Sequence, residues 1–143
     1  MDARDFLALA QSLLTTEKTP RGFRTIIGRA YYASFNVAAE FLRRLGFDLP
    51  ETGDAHVRTY RYLNNCKVRE FEIVATKLND LRTARNTSDY SLGDLSVEKE
   101  PVAILWAEAA KEIIQRIDSC SNDHSQRAQM KVEMLQYKRQ MGW

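Results

Sequence analysis

The chain is poor in the residues that build most recognisable chemistry: two cysteines, two histidines, three prolines and six glycines in 143 residues. So few glycines and prolines leave too little turn-forming material for an all-β sandwich. A hydrophobic content of 44% beside 28% charged residues excludes a disordered chain. Cys66 and Cys120 lack metal-ligand spacing, and His56 and His124 stand too far apart to complete a zinc motif. No metal and no cofactor are therefore expected, and both thiols are read as reduced. No run of about 18 apolar residues occurs that would cross a membrane. The stretch from Met1 to Phe6 shows no basic region followed by an apolar one. A cytoplasmic protein without membrane association is the expectation. Net charge is only +2, which by itself points to no nucleic-acid partner. Among the cations, however, 14 arginines outnumber 7 lysines, and the planar guanidinium fork suits phosphate and carboxylate better than an ammonium does.

What the sequence does have is sustained helical periodicity. Asp2 can cap a first helix reaching about Glu17, with Phe6, Leu9 and Leu13 on its apolar face and Ala10 beside them. Thr19-Pro20 is a helix-start signal, and a long second helix from about Pro20 to Leu45 stops at Gly46 with Arg43 and Arg44 in its last turn. Its inner face holds Ile27, Tyr31, Ser34, Ala38, Phe41 and Leu45, and Ala30, Ala33 and Ala39 permit close approach of another helix. A third helix spans about Ala55 to Asn64, capped by Asp54, and a fourth runs from about Val68 to Asn86. Tyr90 to Ser96, with Gly93 and Asp94, reads as loop. The fifth helix starts near Pro101, extends to about Asp118, and should bury Val102, Leu105, Trp106, Ala109 and Ile113. From Asp123 to Met141 the pattern is helix-compatible but poor in apolar residues, with Met130, Met134, Tyr137 and Met141 on one stripe. An all-α fold follows: an antiparallel up-and-down bundle of four to five core helices over residues 1–120, with residues 121–143 a helical extension, a docking arm or a frayed end.

One position breaks the pattern. Phe71, Val74, Leu78 and Leu81 recur every three or four residues, and the next place on that stripe is taken by Arg85. A guanidinium on an apolar stripe must meet a carboxylate, a polar cleft, a partner subunit or an anionic ligand. Arg82, Arg85, Asn86 and Asp89 share one side if the helix continues, with Arg85 and Asp89 close enough to pair.

That cluster, Leu81-Arg82-Thr-Ala-Arg85-Asn86-Thr-Ser-Asp89-Tyr90, occurs after Arg29-Ala30-Tyr31-Tyr32-Ala33 on the second helix and His56 on the third. In this order the motifs resemble the HEPN superfamily over about Phe6 to Ile117. The resemblance implies a small helical bundle that forms a homodimer, with the polar motifs beside a shared cleft. It also implies a protein acting on RNA: a toxin-like or antiviral-defence endoribonuclease that needs no metal, of the kind found beside a nucleotidyltransferase antitoxin. Arg85 and Asn86 match the first two positions of the family's catalytic motif, but no histidine follows them through Leu92. The site residues carried over are Arg85, Asn86, Asp89 and Tyr90, with His56 as the one imidazole available from another helix. Arg82, Arg29 and Arg58 are expected at the RNA- or nucleotide-binding rim. A non-catalytic module that binds nucleotide, RNA or a nucleotidyltransferase partner remains open beside the nuclease.

Each of these residues also has a plainer reading. Arg82, Arg85 and Asp89 suit an ion-pair network between helices, and Arg29 suits a partner for Asp89. Tyr31, Tyr32 and Phe35 suit core and dimer contacts. His56 suits a partly exposed first helical turn, where the helix dipole disfavours its protonated form. Tyr90 suits either a plug on the bundle or an exposed hydroxyl at the cleft.

Overall fold

The computed structural model describes residues 1–143 as six α-helices with no strand: α1 (Arg4–Thr16), α2 (Pro20–Arg44), α3 (Asp54–Asn64), α4 (Arg69–Tyr90), α5 (Glu100–Ser121) and α6 (His124–Met141). A single 3-10 turn, Leu95–Val97, precedes α5. The all-α bundle expected from the periodicity is what forms. α2 is its axis, packing on α1, α3, α4 and α5, while α6 closes the side made by α3 and α5.

The start of α2 follows from local chemistry. Thr19 Oγ1 accepts a hydrogen bond from the Gly22 amide at 3.1 Å, and Pro20 occupies the first turn, where its missing N–H costs nothing. Gly22 is obligatory, because a Cβ there would lie 2.0 Å from the Glu17 carbonyl oxygen, so the turn between α1 and α2 closes only around a hydrogen atom. At the other end Gly46 takes φ +95, the left-handed conformation that ends a helix at little cost.

Ile27, Tyr31, Ser34, Ala38, Phe41 and Leu45 are buried as expected, and so are Ala30, Ala33 and Ala39. The alanine face of α2 is therefore used up inside the chain. α5 differs from expectation in phase. Its buried stripe is Ala103, Ala107, Ala110, Ile113, Ile114 and Ile117, whereas Leu105 is 60% exposed. Small residues let α5 approach α1 and α2, where Ala103 and Ala107 pack with Ala10, Phe23 and Ile26. The larger Leu105 is turned outward, and Leu9 on α1 is likewise exposed.

The chain beyond residue 120 is neither frayed nor a detached arm. Asp123 caps α6 by accepting from the Gln126 amide at 3.0 Å, and Met130 and Met134 are wholly buried in the main core. Beyond them Tyr137 and Trp143 meet edge-to-face at 5.7 Å and both pack on Tyr62 of α3. Met134→Ala should lower stability in urea denaturation by about 2–5 kcal/mol, the usual range for truncating a buried methionine. A loss too small to measure would mean that α6 is not part of the core.

Candidate functional site

α4 continues one turn past Asn86, to Tyr90, so Asp89 and Tyr90 are helical and not part of a loop. The reason lies on α2. Arg24, only 11% exposed, donates from Nη1 to the carbonyl oxygen of Ser88 at 2.9 Å. Through Nη2 it reaches those of Leu92 at 3.2 Å and Asp94 at 2.8 Å. Its Nε pairs with Glu98 at 2.7 Å. The last turn of a helix leaves carbonyls without intrahelical partners, and a guanidinium satisfies several of them while matching the negative end of the dipole. Sequence reasoning passed over Arg24 because its partners lie more than sixty residues away and are mostly backbone atoms, which leave no side-chain pattern.

With the last turn held, Arg85, Asn86 and Asp89 share one side of α4 and face Tyr31 and Tyr32 of α2. Arg85 is 15% exposed at its side chain. Its Nη2 donates to Tyr32 Oη at 2.5 Å, and its Nη1 donates to Asn86 Oδ1 at 3.1 Å. The guanidinium carbon lies 5.1 Å from the Tyr32 ring centre, 5.9 Å from Tyr31 and 5.4 Å from Tyr90, so three phenol rings surround the charge. Nε is 2.9 Å from Asp89 Oδ2, yet its N–H is not aimed at that oxygen. Arg85 Nε and Thr59 Oγ1 are the buried side-chain polar atoms in the chain that lack a hydrogen-bond partner. Such atoms are rare in folded proteins and often mark functional positions. Asp89 is 39% exposed and lies against Gly28, where a Cβ would stand 3.8 Å from Oδ1.

α3 brings the imidazole. His56 packs against Phe35 at a tilt of 36°, with ring centres 4.0 Å apart, and its Nδ1 is 2.5 Å from Tyr31 Oη. Burial lowers its pKa from the usual value near 6.5, and the positive charges of Arg82 and Arg85 lower it further. His56 is partly exposed in the first turn of α3 and its protonated form is disfavoured, as expected; the cause differs, since desolvation against α2 dominates and not the helix dipole. Tyr31 is pushed up to about 12 by burial, against the pull of Arg82 and Arg85, and so stays a phenol. With Nδ1 taken by Tyr31, Nε2 is the nitrogen left to exchange a proton.

The remaining predicted positions separate. Arg82 is half-buried near Tyr31 and His56 and makes no ion pair or side-chain hydrogen bond. Arg29 does not pair with Asp89, which Arg85 has claimed. Instead, Arg29 lies over Phe6 and Tyr32, 5.1 Å from each ring centre. Arg58 is not at the cluster at all: it covers the Trp143 ring at 4.5 Å, drawn there by the aromatic group that anchors α6. Tyr90 is 73% exposed, with Leu92 and Leu95 similarly open. No group of histidine, cysteine and carboxylate side chains is arranged to hold a metal ion. A concavity of about 260 Å³ lined by Arg4, Arg44, Asp118 and Arg127 lies toward the C-terminal end of α2 and shares no residue with this cluster.

What the arrangement can do is specific. Arg82 and Arg85 present positive charge, neutral His56 can accept a proton, and Tyr31, Tyr32 and Tyr90 supply hydroxyl groups. No protein-family model, no curated protein and no solved structure matches the chain.

Two outcomes follow. Arg24→Ala should cost about 3 kcal/mol in denaturant titration, because it strands Glu98 and a set of carbonyls. Arg24→Lys should recover only part of the loss, since one ammonium cannot span those acceptors. A cost below about 0.5 kcal/mol for the alanine variant would contradict this role for Arg24. Second, the folded-state pKa of His56 lies below its unfolded value, so the native protein binds fewer protons there, and stability falls as pH drops below about 6.5. His56→Phe should flatten the stability profile between pH 7 and about 5, measured by thermal melting. An unchanged slope would show that the imidazole is not held neutral.

Proposed function

We propose that this chain is a HEPN-like module that acts on RNA as a homodimer, cleaving the strand without metal at the Arg85–His56 cluster. One observation carries this reading: His56 reaches Tyr31 Oη at 2.5 Å, beside Arg85, and so supplies from α3 the imidazole that α4 lacks. Cleavage of RNA by its own 2′-hydroxyl needs a proton acceptor, stabilisation of the charged phosphate and a proton for the leaving oxygen. In the tautomer that donates Nδ1–H to Tyr31 Oη, His56 Nε2 keeps its lone pair and serves as the base. Arg85 and Arg82 offset the phosphate charge, Asn86 orients Arg85, and the exposed Tyr90 hydroxyl serves as the proton donor. Asp89 acts as the internal counter-ion that holds Arg85 until phosphate replaces it.

The alanines of α2 are consumed within the chain, so they offer no surface to a second copy. Exposed Tyr90, Leu92 and Leu95 beside the cluster supply apolar contact for one. A toxin-like role opposite a nucleotidyltransferase rests on the resemblance alone.

The competing reading is a non-catalytic module that binds nucleotide, RNA or a nucleotidyltransferase. It is favoured by Asp89 Oδ2, which already lies 2.9 Å from Arg85 Nε, in the space a scissile phosphate would enter. Labelled RNA incubated with purified protein and chelator separates the two. The nuclease predicts cleavage that persists in chelator and falls about 10²- to 10⁴-fold in His56→Ala. It predicts a loss of at least about 10²-fold in Arg85→Ala. Salt-sensitive binding that Arg85→Ala weakens, without any cleavage, supports the binding module. If neither activity appears, and Arg85→Ala only changes the sedimentation of the protein, RNA has no part in the site.

A further inference from the structure

α2 is buried on every side but one. Along that side Arg29, Tyr32, Asn36, Glu40 and Arg43 follow one another at spacings of three or four, the only half-exposed or exposed residues between Thr25 and the last residue of the helix. From Arg29 to Arg43 this stripe covers fifteen residues, about 21 Å at roughly 1.5 Å per step. It is not a flat surface. Phe6 of α1 walls it, and Phe6, Asn36, Glu40 and Arg43 line a groove of about 310 Å³.

The groove and the Arg85 cluster are linked through Phe6, which lines the one, and Tyr32, which holds the other. Phe6 packs against Tyr32, whose hydroxyl accepts from Arg85, and Asn36 Nδ2 donates to the Tyr32 carbonyl oxygen at 2.7 Å. That bond leaves Asn36 Oδ1 as an acceptor with no protein partner. The charges along the stripe are unequal. Glu40 is neutralised by Arg44, at 2.5 Å, whereas neither Arg29 nor Arg43 has a carboxylate partner. Arg29 makes no hydrogen bond and is braced by two aromatic rings, one of them the Phe6 ring that walls the groove, so its N–H donors have no protein partner.

We infer that this stripe is the track for a single-stranded RNA whose scissile phosphate lies at Arg85, with Arg29 and Arg43 holding backbone phosphates toward the two ends of the stripe. The inference rests on the proposed RNA-acting site and adds the substrate class. A channel one helix wide, with two free guanidiniums in line and a ring-backed guanidinium plane at its inner end, fits a strand with unpaired bases. A duplex presents its phosphates on two sides and hides its bases from such a plane.

The test is fluorescence anisotropy of the full chain with a labelled single strand of about twelve nucleotides, in chelator, with the 2′-hydroxyls replaced by hydrogen to prevent cleavage. Wild type, Arg43→Gln and Arg29→Gln are compared over a range of salt concentrations. Each substitution should weaken binding by about tenfold and reduce the slope of log affinity against log salt by about 0.7, the value for one single-strand phosphate contact. A duplex of equal length should bind at least about tenfold more weakly than the single strand. Arg43 is exposed, so its variant folds even if the Arg29 variant does not. Unchanged affinity and slope in Arg43→Gln, with binding still lost in Arg85→Ala, would overturn the track and leave the Arg85 site standing. Equal binding of the duplex would overturn the single-strand assignment. Absence of RNA binding by wild type would overturn the site and the track together.

Discussion

The last turn of α4 depends on a side chain from another helix. Carbonyl groups at a helix end lack intrahelical partners, and Arg24, nearly buried, takes that of Ser88 together with those of Leu92 and Asp94 in the loop that follows. Without that guanidinium, Asp89 and Tyr90 would lie beyond the helix end and the spacing that puts Asp89 opposite Arg85 would be lost. A charge buried at one point thus makes possible a second buried charge one turn away. Arg24 is fully partnered; Arg85 retains one N–H that no acceptor meets.

The second constraint is close packing around α2. Gly22, Ala30, Ala33, Ala38 and Ala39 let neighbouring helices approach its backbone, and the price is a helix with a single open stripe. On that stripe lie Tyr32, which holds Arg85, and Arg29. α3 then lays His56 across Tyr31 and Phe35. Desolvation and two nearby guanidiniums keep the imidazole neutral, the state a proton acceptor needs at neutral pH.

Much of the fold was legible in the sequence because helix-start and helix-stop chemistry is local: Thr19-Pro20 and Gly46 bracket α2 where they should. The errors arose where a distant contact decides. The phase of α5 was misjudged because large side chains suggest burial, whereas its tight interface selects Ala103, Ala107 and Ala110 and turns Leu105 out. The few apolar residues of α6 leave a helical extension, a docking arm and a frayed end all open in the sequence, and two methionines with a terminal tryptophan suffice to pack it. At the site, Arg85 stood out because it interrupts an apolar stripe, and its pairing with Asp89 follows from i, i+4 geometry. Arg58 was misplaced because its partner, Trp143, lies 85 positions away. Tyr32 was read as a packing residue because a phenol at helical spacing looks like core until its hydroxyl is seen to hold a guanidinium.

On the proposed reading, Arg85 and His56 form one phosphate-handling site. Nuclear magnetic resonance tests it directly, through the Arg85 Nε–H and the His56 imidazole signals during titration with a short RNA strand that cannot be cleaved. The account predicts that both signals move together and saturate at the same concentration, as phosphate takes the place of Asp89. Strand binding that leaves both signals unmoved would contradict it.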